Sequence, residues 1–85
     1  MDKKVIAAFL AKAALLDLNQ GEIKFLQYQL GISGGFYTGL FDLYWKADRV
    51  NKGLLMMTWP QEMEAAERYA GEDGYWEALQ KKAGL

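Results

Sequence analysis

Phe36, Leu40, Leu43, Ala47, Val50, Leu54 and Met57 follow one another at steps of four and three residues, and all are apolar. Steps of that size return a side chain to the same face of an α-helix, whereas a half-buried strand alternates at every second residue. The pattern predicts one long helix over about 35–57, roughly 33 Å at 1.5 Å per residue, with these seven side chains as its core stripe. Gly53 lies inside it, and an interior glycine costs about 1 kcal/mol. The apolar register runs past Gly53, so continuity is expected.

The rest of the chain reads around that spine. Ile6, Phe9, Ala13 and Leu16 share a helical face and predict a helix over about 2–18, with five alanines raising its propensity. Asn19 followed by Glu22 is a capping-box pattern, which starts a second helix running to about Leu30. Its "EIKFLQYQL" is partly alternating, which leaves a short strand open. Gly31 before apolar Ile32 fits a helix C-terminus. Beyond the long helix, Pro60 suits the first turn of a further helix to about Ala70 and pushes Trp59 into the joint. Trp59 is expected to be buried between the long helix and the C-terminal pair, near Tyr75 or Trp76. Gly71 ends that helix, and Asp73 can cap a last one over about 74–83. The sum is an all-α fold, a single-domain bundle of four to five helices over 1–85 with a long central helix.

The stretch "LGISGGFYTGLF", Leu30 to Phe41, invites two sharper readings. Gly34 and Gly39 have P-loop spacing, but Leu40 and Phe41 follow where a lysine and a hydroxyl are needed. "LGIS" resembles the turn of helix-turn-helix repressors over about 22–41, which implies a DNA-binding regulator. The chain departs from that pattern. Gln27 stands where a small residue packs under the turn. Gly34, Gly35, Phe36, Thr38 and Gly39 stand where a recognition helix touches bases, and none is Arg, Lys, Asn or Gln. The plainer reading is the end of one helix and the capped start of the next, with DNA binding kept as the alternative.

Composition narrows the chemistry. The 85 residues suit one domain, 52% are apolar and twelve are aromatic, so a dense core is affordable for a small fold. There is no cysteine and no histidine, which removes thiolate and imidazole catalysis and the usual zinc ligands. No cofactor or metal site is expected, since neither paired catalytic carboxylates nor a calcium loop can be recognised. The chain reads as a non-enzyme. A net charge of −1 gives no general attraction to nucleic acid. No apolar run nears the roughly 18 residues of a membrane span. Lys12 and Asp17, with no small-x-small site, argue against a signal peptide. A cytoplasmic protein without membrane or nucleic-acid partners is expected.

Two surfaces stand out. From Gln61 to Glu77 six acids, Glu62, Glu64, Glu67, Glu72, Asp73 and Glu77, face one base, Arg68, for a local −5. Such a surface can dock on a basic partner, although acids in the first turns of helices are also ordinary dipole partners. Opposite the core stripe, Thr38, Asp42, Trp45, Arg49, Lys52 and Met56 follow helical steps, and Trp, Arg and Met are enriched at interfaces. A covered central helix explains them equally well. Candidate partner-binding residues are therefore Glu62, Glu64, Glu67, Glu72, Asp73, Trp45, Arg49 and Met56, with self-assembly through the Trp45 stripe as a further alternative.

Residues 36–76 also carry Lys46, Ala47, Asp48 and Asn51, then Trp59, Pro60 and Glu62, then Arg68 and Tyr69, then Gly74, Tyr75 and Trp76. This arrangement is similar to short open reading frames of bacterial phages and prophages. The resemblance implies a phage-linked role in a bacterial cytoplasm. By analogy with other small phage proteins that lack catalytic residues, it implies stoichiometric binding of a host protein, including defence proteins.

Overall fold

A computed structural model describes residues 4, 5 and 18–84 of the chain. The helix expected over 2–18, with its face of Ile6, Phe9, Ala13 and Leu16, lies almost wholly outside the described residues. Among those described there are five α-helices and no strand: α1 Gln20–Gln29, α2 Gly35–Lys46, α3 Arg49–Thr58, α4 Pro60–Gly71 and α5 Tyr75–Lys82. The all-α bundle is what the periodicity predicts, and the strand left open over 22–30 is a helix.

α1 starts on the expected capping box. Asn19 Oδ1 accepts from the Glu22 amide at 2.8 Å, and Glu22 Oε1 accepts from the Asn19 amide at 3.1 Å, so two orphan donors are satisfied reciprocally. It ends as Gly31 and Ile32 suggest. Gly31 takes φ +73°, its amide donates to Tyr28 O, and Ile32 N donates to Gln27 O. This is a Schellman motif, which glycine enters without a Cβ penalty.

The single long helix is not formed. α2 stops at Lys46, Ala47 turns to ψ 144°, and Asp48 begins α3 as its N-cap, accepting from the Asn51 amide at 2.8 Å. An aspartate in that position offers the backbone a hydrogen bond that an uninterrupted helix does not use. Gly53, the expected weak point, lies inside α3 undisturbed. The two helices fold back on each other, so that Phe36 at the start of α2 meets Trp59 just beyond α3, ring centroids 5.9 Å apart.

The spine is therefore α1. Gly21, Glu22, Ile23, Phe25 and Leu26 are all buried. The Phe25 ring is surrounded by those of Tyr28, Phe41, Trp45, Tyr69 and Trp76 at 5.2–6.5 Å. α4 lies against α1 through Met63, Ala65 and Ala66, and α5 closes the core with Tyr75 and Leu79. Gly21 makes the approach of α4 so close that a Cβ there would overlap the Gln61 carbonyl and the Glu62 amide.

The expected core stripe is overturned as well. Of its large members only Leu40 is buried, while Phe36, Leu43, Val50, Leu54 and Met57 are exposed. α2 turns a different register inward: Tyr37, Leu40, Phe41 and Tyr44, also at helical spacing. Two apolar registers compete on this helix, and the aromatic one, with more area to bury per residue, faces α1. Trp59 is only partly buried, and its ring contact is with Phe36 rather than Tyr75 or Trp76.

Candidate protein-docking site

The rejected register forms the most distinctive surface of the molecule. Val50, Leu54 and Met57 lie at i, i+4 and i+7 on α3 and are 73%, 57% and 81% exposed, and α3 contains no buried residue. Leu43 on α2 faces Leu54 and Leu55 across an open groove of about 550 Å³, whose lining is completed by Lys46, Ala47, Asp48, Asn51 and Thr58. The elbow at Ala47–Asp48 forms one end of it. Its polar groups are largely committed: Thr58 Oγ1 donates to Leu54 O at 3.0 Å, and Asp48 caps α3.

The area can be scaled. Burial of a large apolar side chain is worth about 1.5–3 kcal/mol at about 25 cal/mol per Å², hence roughly 60–120 Å² each. Phe36, Leu43, Val50, Leu54 and Met57, each more than half exposed, then present on the order of 200–400 Å². The largest patch of a typical monomer is of that size and is often functional.

The residues singled out from the sequence are dispersed. Trp45 packs back on α1: its indole donates to Tyr28 Oη at 3.1 Å, and Tyr28 Oη donates to Asp42 Oδ1 at 2.7 Å. Burial, then the Asp42 bond, pushes the Tyr28 hydroxyl pKa up. The α2–α3 break separates Trp45 from Arg49 and Met56, which line a second depression with Tyr44, Lys52, Gly53 and Glu67. Lys52 sits 5.1 Å from the Tyr44 ring centroid, and burial, reinforced by the Glu67 charge, raises the Tyr44 pKa. Of the acids, Glu62 is buried in the first turn of α4. Glu72 accepts from Arg68 Nε at 2.7 Å, which holds its carboxyl below the usual range. Glu64, Glu67, Asp73 and Glu77 are exposed. The −5 segment thus has two of its six acids withdrawn from a free acidic face.

Sequence reasoning missed one polar centre. Tyr75 Oη donates to Glu22 Oε2 at 3.2 Å in the buried interior, while the other carboxylate oxygen caps α1. Arg68 lies 4.4 Å from the Tyr75 ring centroid. Burial, then the neighbouring Glu22, pushes the Tyr75 hydroxyl far above its ordinary pKa. Each oxygen of Glu22 carries one hydrogen bond, so the arrangement ties α1 to α5, and a depression of about 170 Å³ lined by Glu22, Arg68, Tyr75 and Lys82 opens beside it.

The helix-turn-helix comparison also acquires geometry. α2 would be the recognition helix, and of its exposed residues Gly35, Phe36, Gly39, Asp42, Leu43, Trp45 and Lys46 only Asp42 and Lys46, in its C-terminal half, carry a base-reading group. Among the described residues no cluster of metal-ligating side chains occurs and no helix is long and apolar enough to cross a membrane. No family model, curated protein or solved structure matches the chain.

Proposed function

We propose that this chain is a non-enzymatic binding module that docks a protein partner on the exposed face of α2 and α3. The observation that carries this reading is α3 itself. It is an amphipathic helix whose apolar side, Val50, Leu54 and Met57, is turned to solvent while the polar Lys52 is half covered. A helix of ten residues has little stability of its own, and Val50, Leu54 and Met57 each keep more than half of their surface exposed. Covering them is the simplest use of such a face. The resemblance of residues 36–76 to phage reading frames supports a bacterial host protein as the partner, with a defence protein as one such target.

The test is quantitative capture from bacterial lysate with three full-length chains: wild type, Leu54→Asp, and a Glu64→Gln/Glu67→Gln pair. Circular dichroism verifies each fold. A specific partner should be retained by wild type and by the acid-neutralised pair and lost with Leu54→Asp. Retention by Leu54→Asp together with loss by the acid-neutralised pair would move the docking surface to α4.

A further inference from the structure

The depression that Arg49 and Met56 line has a chemistry of its own. We propose that it binds a small sugar phosphate, with the phosphate held by Arg49, Lys52 and Tyr44 and the sugar hydroxyls by Glu67. The site is separate from the docking face and does not depend on it.

Its polar groups are uncommitted. Arg49 and Lys52 stand at i and i+3 on α3 and so share a face. With Tyr44 of α2 and Glu67 of α4 they line a depression of about 460 Å³. Among the described residues, no side chain of these four has a hydrogen-bond or ion-pair partner. Lys52 touches only the Tyr44 ring, 5.1 Å from its centroid. Tyr44 is the most informative of the four. It is 5% exposed, and a polar group that deep is normally bonded. No buried side-chain oxygen lacks a partner among the described residues, so the small exposed part of Tyr44 includes its hydroxyl, which opens on the depression it lines. Burial, then the Glu67 charge, holds that hydroxyl protonated, and it is available as a donor.

Gly53 is an independent observation. It lies inside α3, where glycine costs helix stability. Nothing lies within 4 Å of the place its Cβ would take, so no neighbour in the described fold requires a glycine there. What Gly53 does is line the depression, and a bare backbone at such a place lets a bound molecule approach closely.

Charge and size select the ligand. A phosphomonoester carries about −1.5 to −2 at neutral pH, which two cations match. The Arg49 guanidinium offers a fork that fits phosphate oxygens, and the Lys52 ammonium adds a point charge. The volume exceeds what inorganic phosphate needs and lies in the range of pockets for small organic molecules, about 300–1,000 Å³. The Glu67 carboxylate can only accept, so the part of the ligand against it must donate. Hydroxyl groups do this, and a second anion does not. Met56 supplies an apolar wall for the carbon skeleton.

The experiment titrates ribose 5-phosphate, ribose and inorganic phosphate into the isotope-labelled full-length chain and follows the amide resonances of α3 by nuclear magnetic resonance. Ribose 5-phosphate should shift Arg49, Lys52 and Gly53 saturably, with a Kd of about 1 mM or tighter. Inorganic phosphate should bind about tenfold more weakly, and ribose should not bind. Arg49→Gln and Lys52→Gln should each weaken ribose 5-phosphate about tenfold, the effect of losing a charge-assisted hydrogen bond. Tyr44→Phe should weaken it about three- to tenfold. Glu67→Gln should strengthen inorganic phosphate and narrow its gap to the sugar phosphate. Gly53→Leu, a better helix former, should leave the chain folded by circular dichroism and remove the saturable shift, a split that a purely structural glycine would not show. Leu54→Asp should bind ribose 5-phosphate as the wild type does, which keeps this test apart from the docking reading. Absence of a saturable shift up to about 10 mM ribose 5-phosphate would overturn the proposal. Equal affinity for inorganic phosphate would overturn the sugar, and undiminished binding by folded Gly53→Leu would overturn the location. Tighter binding of a single-stranded oligonucleotide than of ribose 5-phosphate would make the ligand a nucleic acid and overturn a small one.

Discussion

Gly21→Ala and Gly53→Ala are the same substitution, and the fold expects opposite signs from them. At Gly21 an added Cβ falls well inside 3.0 Å of the Gln61 carbonyl and the Glu62 amide, which are backbone atoms and cannot rotate away. Relief requires α1 and α4 to separate by on the order of 1 Å, and a gap of that size forfeits roughly a quarter to a half of each contact across it. The contacts at stake are those of Ile23, Phe25 and Leu26 with Met63, Ala65 and Ala66, all buried. Overpacking of this kind costs about 1–3 kcal/mol, occasionally more, against a propensity gain for alanine of at most about 1 kcal/mol. A net loss of about 2 kcal/mol is expected, a Tm decrease of roughly 8–16 °C for a domain of this size. At Gly53 nothing lies within 4 Å of the added Cβ, so only the helix-propensity gain of about 0.5–1 kcal/mol remains. Urea unfolding followed by tryptophan fluorescence and by circular dichroism measures both. If Gly21→Ala is neutral or stabilising, the close packing of α1 on α4 is wrong, and with it the placement of the core.

Trp59→Ala should cost about 1–2 kcal/mol, below the roughly 3–5 kcal/mol of a fully buried aromatic, because Trp59 is only partly buried at the edge of the core, with Phe36 as its ring contact; a larger loss in urea unfolding would place it deeper in the core. Tyr75→Phe should cost about 1–2 kcal/mol. In a double-mutant cycle with Glu22→Gln the two changes should be coupled by roughly 0.5–1.5 kcal/mol, and strict additivity would separate the two side chains. The raised hydroxyl pKa values of Tyr75, Tyr28 and Tyr44 set the alkaline limit of stability. The unfolded chain releases these protons near pH 10 while the native chain holds them. Stability should therefore be constant up to about pH 9 and fall steadily above about pH 10; flat unfolding curves across that range would mean these hydroxyls are open to water.

What was legible in the sequence was local. Asn19–Glu22, Gly31–Ile32 and Pro60 announce their caps and boundaries because each acts through a hydrogen bond or dihedral within a few residues. The failure over 35–57 has the same root seen from the other side. Ala47 continues the apolar register faithfully, yet Asp48 three residues before Asn51 is a cap signal, and a periodicity count gives it no weight. Which face of α2 turns inward was not legible. Phe36–Leu43 and Tyr37–Leu40–Phe41–Tyr44 are both helical stripes, and only the position of α1 decides between them. The groove between α2 and α3 follows from that tertiary choice, so Leu43, Ala47 and Leu54 in its lining read as core. The Glu22–Tyr75 bond spans 53 positions, and no local pattern encodes it.

That bond bears on how the molecule comes apart. One oxygen of Glu22 fastens the first turn of α1, and the other is held by the first turn of α5, so the chain's two most distant described helices share a single carboxylate. Fraying at the C-terminus cannot stay at the C-terminus: release of Tyr75 strips a partner from the group that caps the central helix. Amide exchange at Glu22 and Ile23 should then follow the detachment of α5, and the slowest-exchanging hydrogens of α1 should lie one turn further on, around Phe25 and Leu26. α3 shares no such clamp and is held instead by Leu55 and Met56 against the core, so its amides should exchange without waiting for α5 to detach.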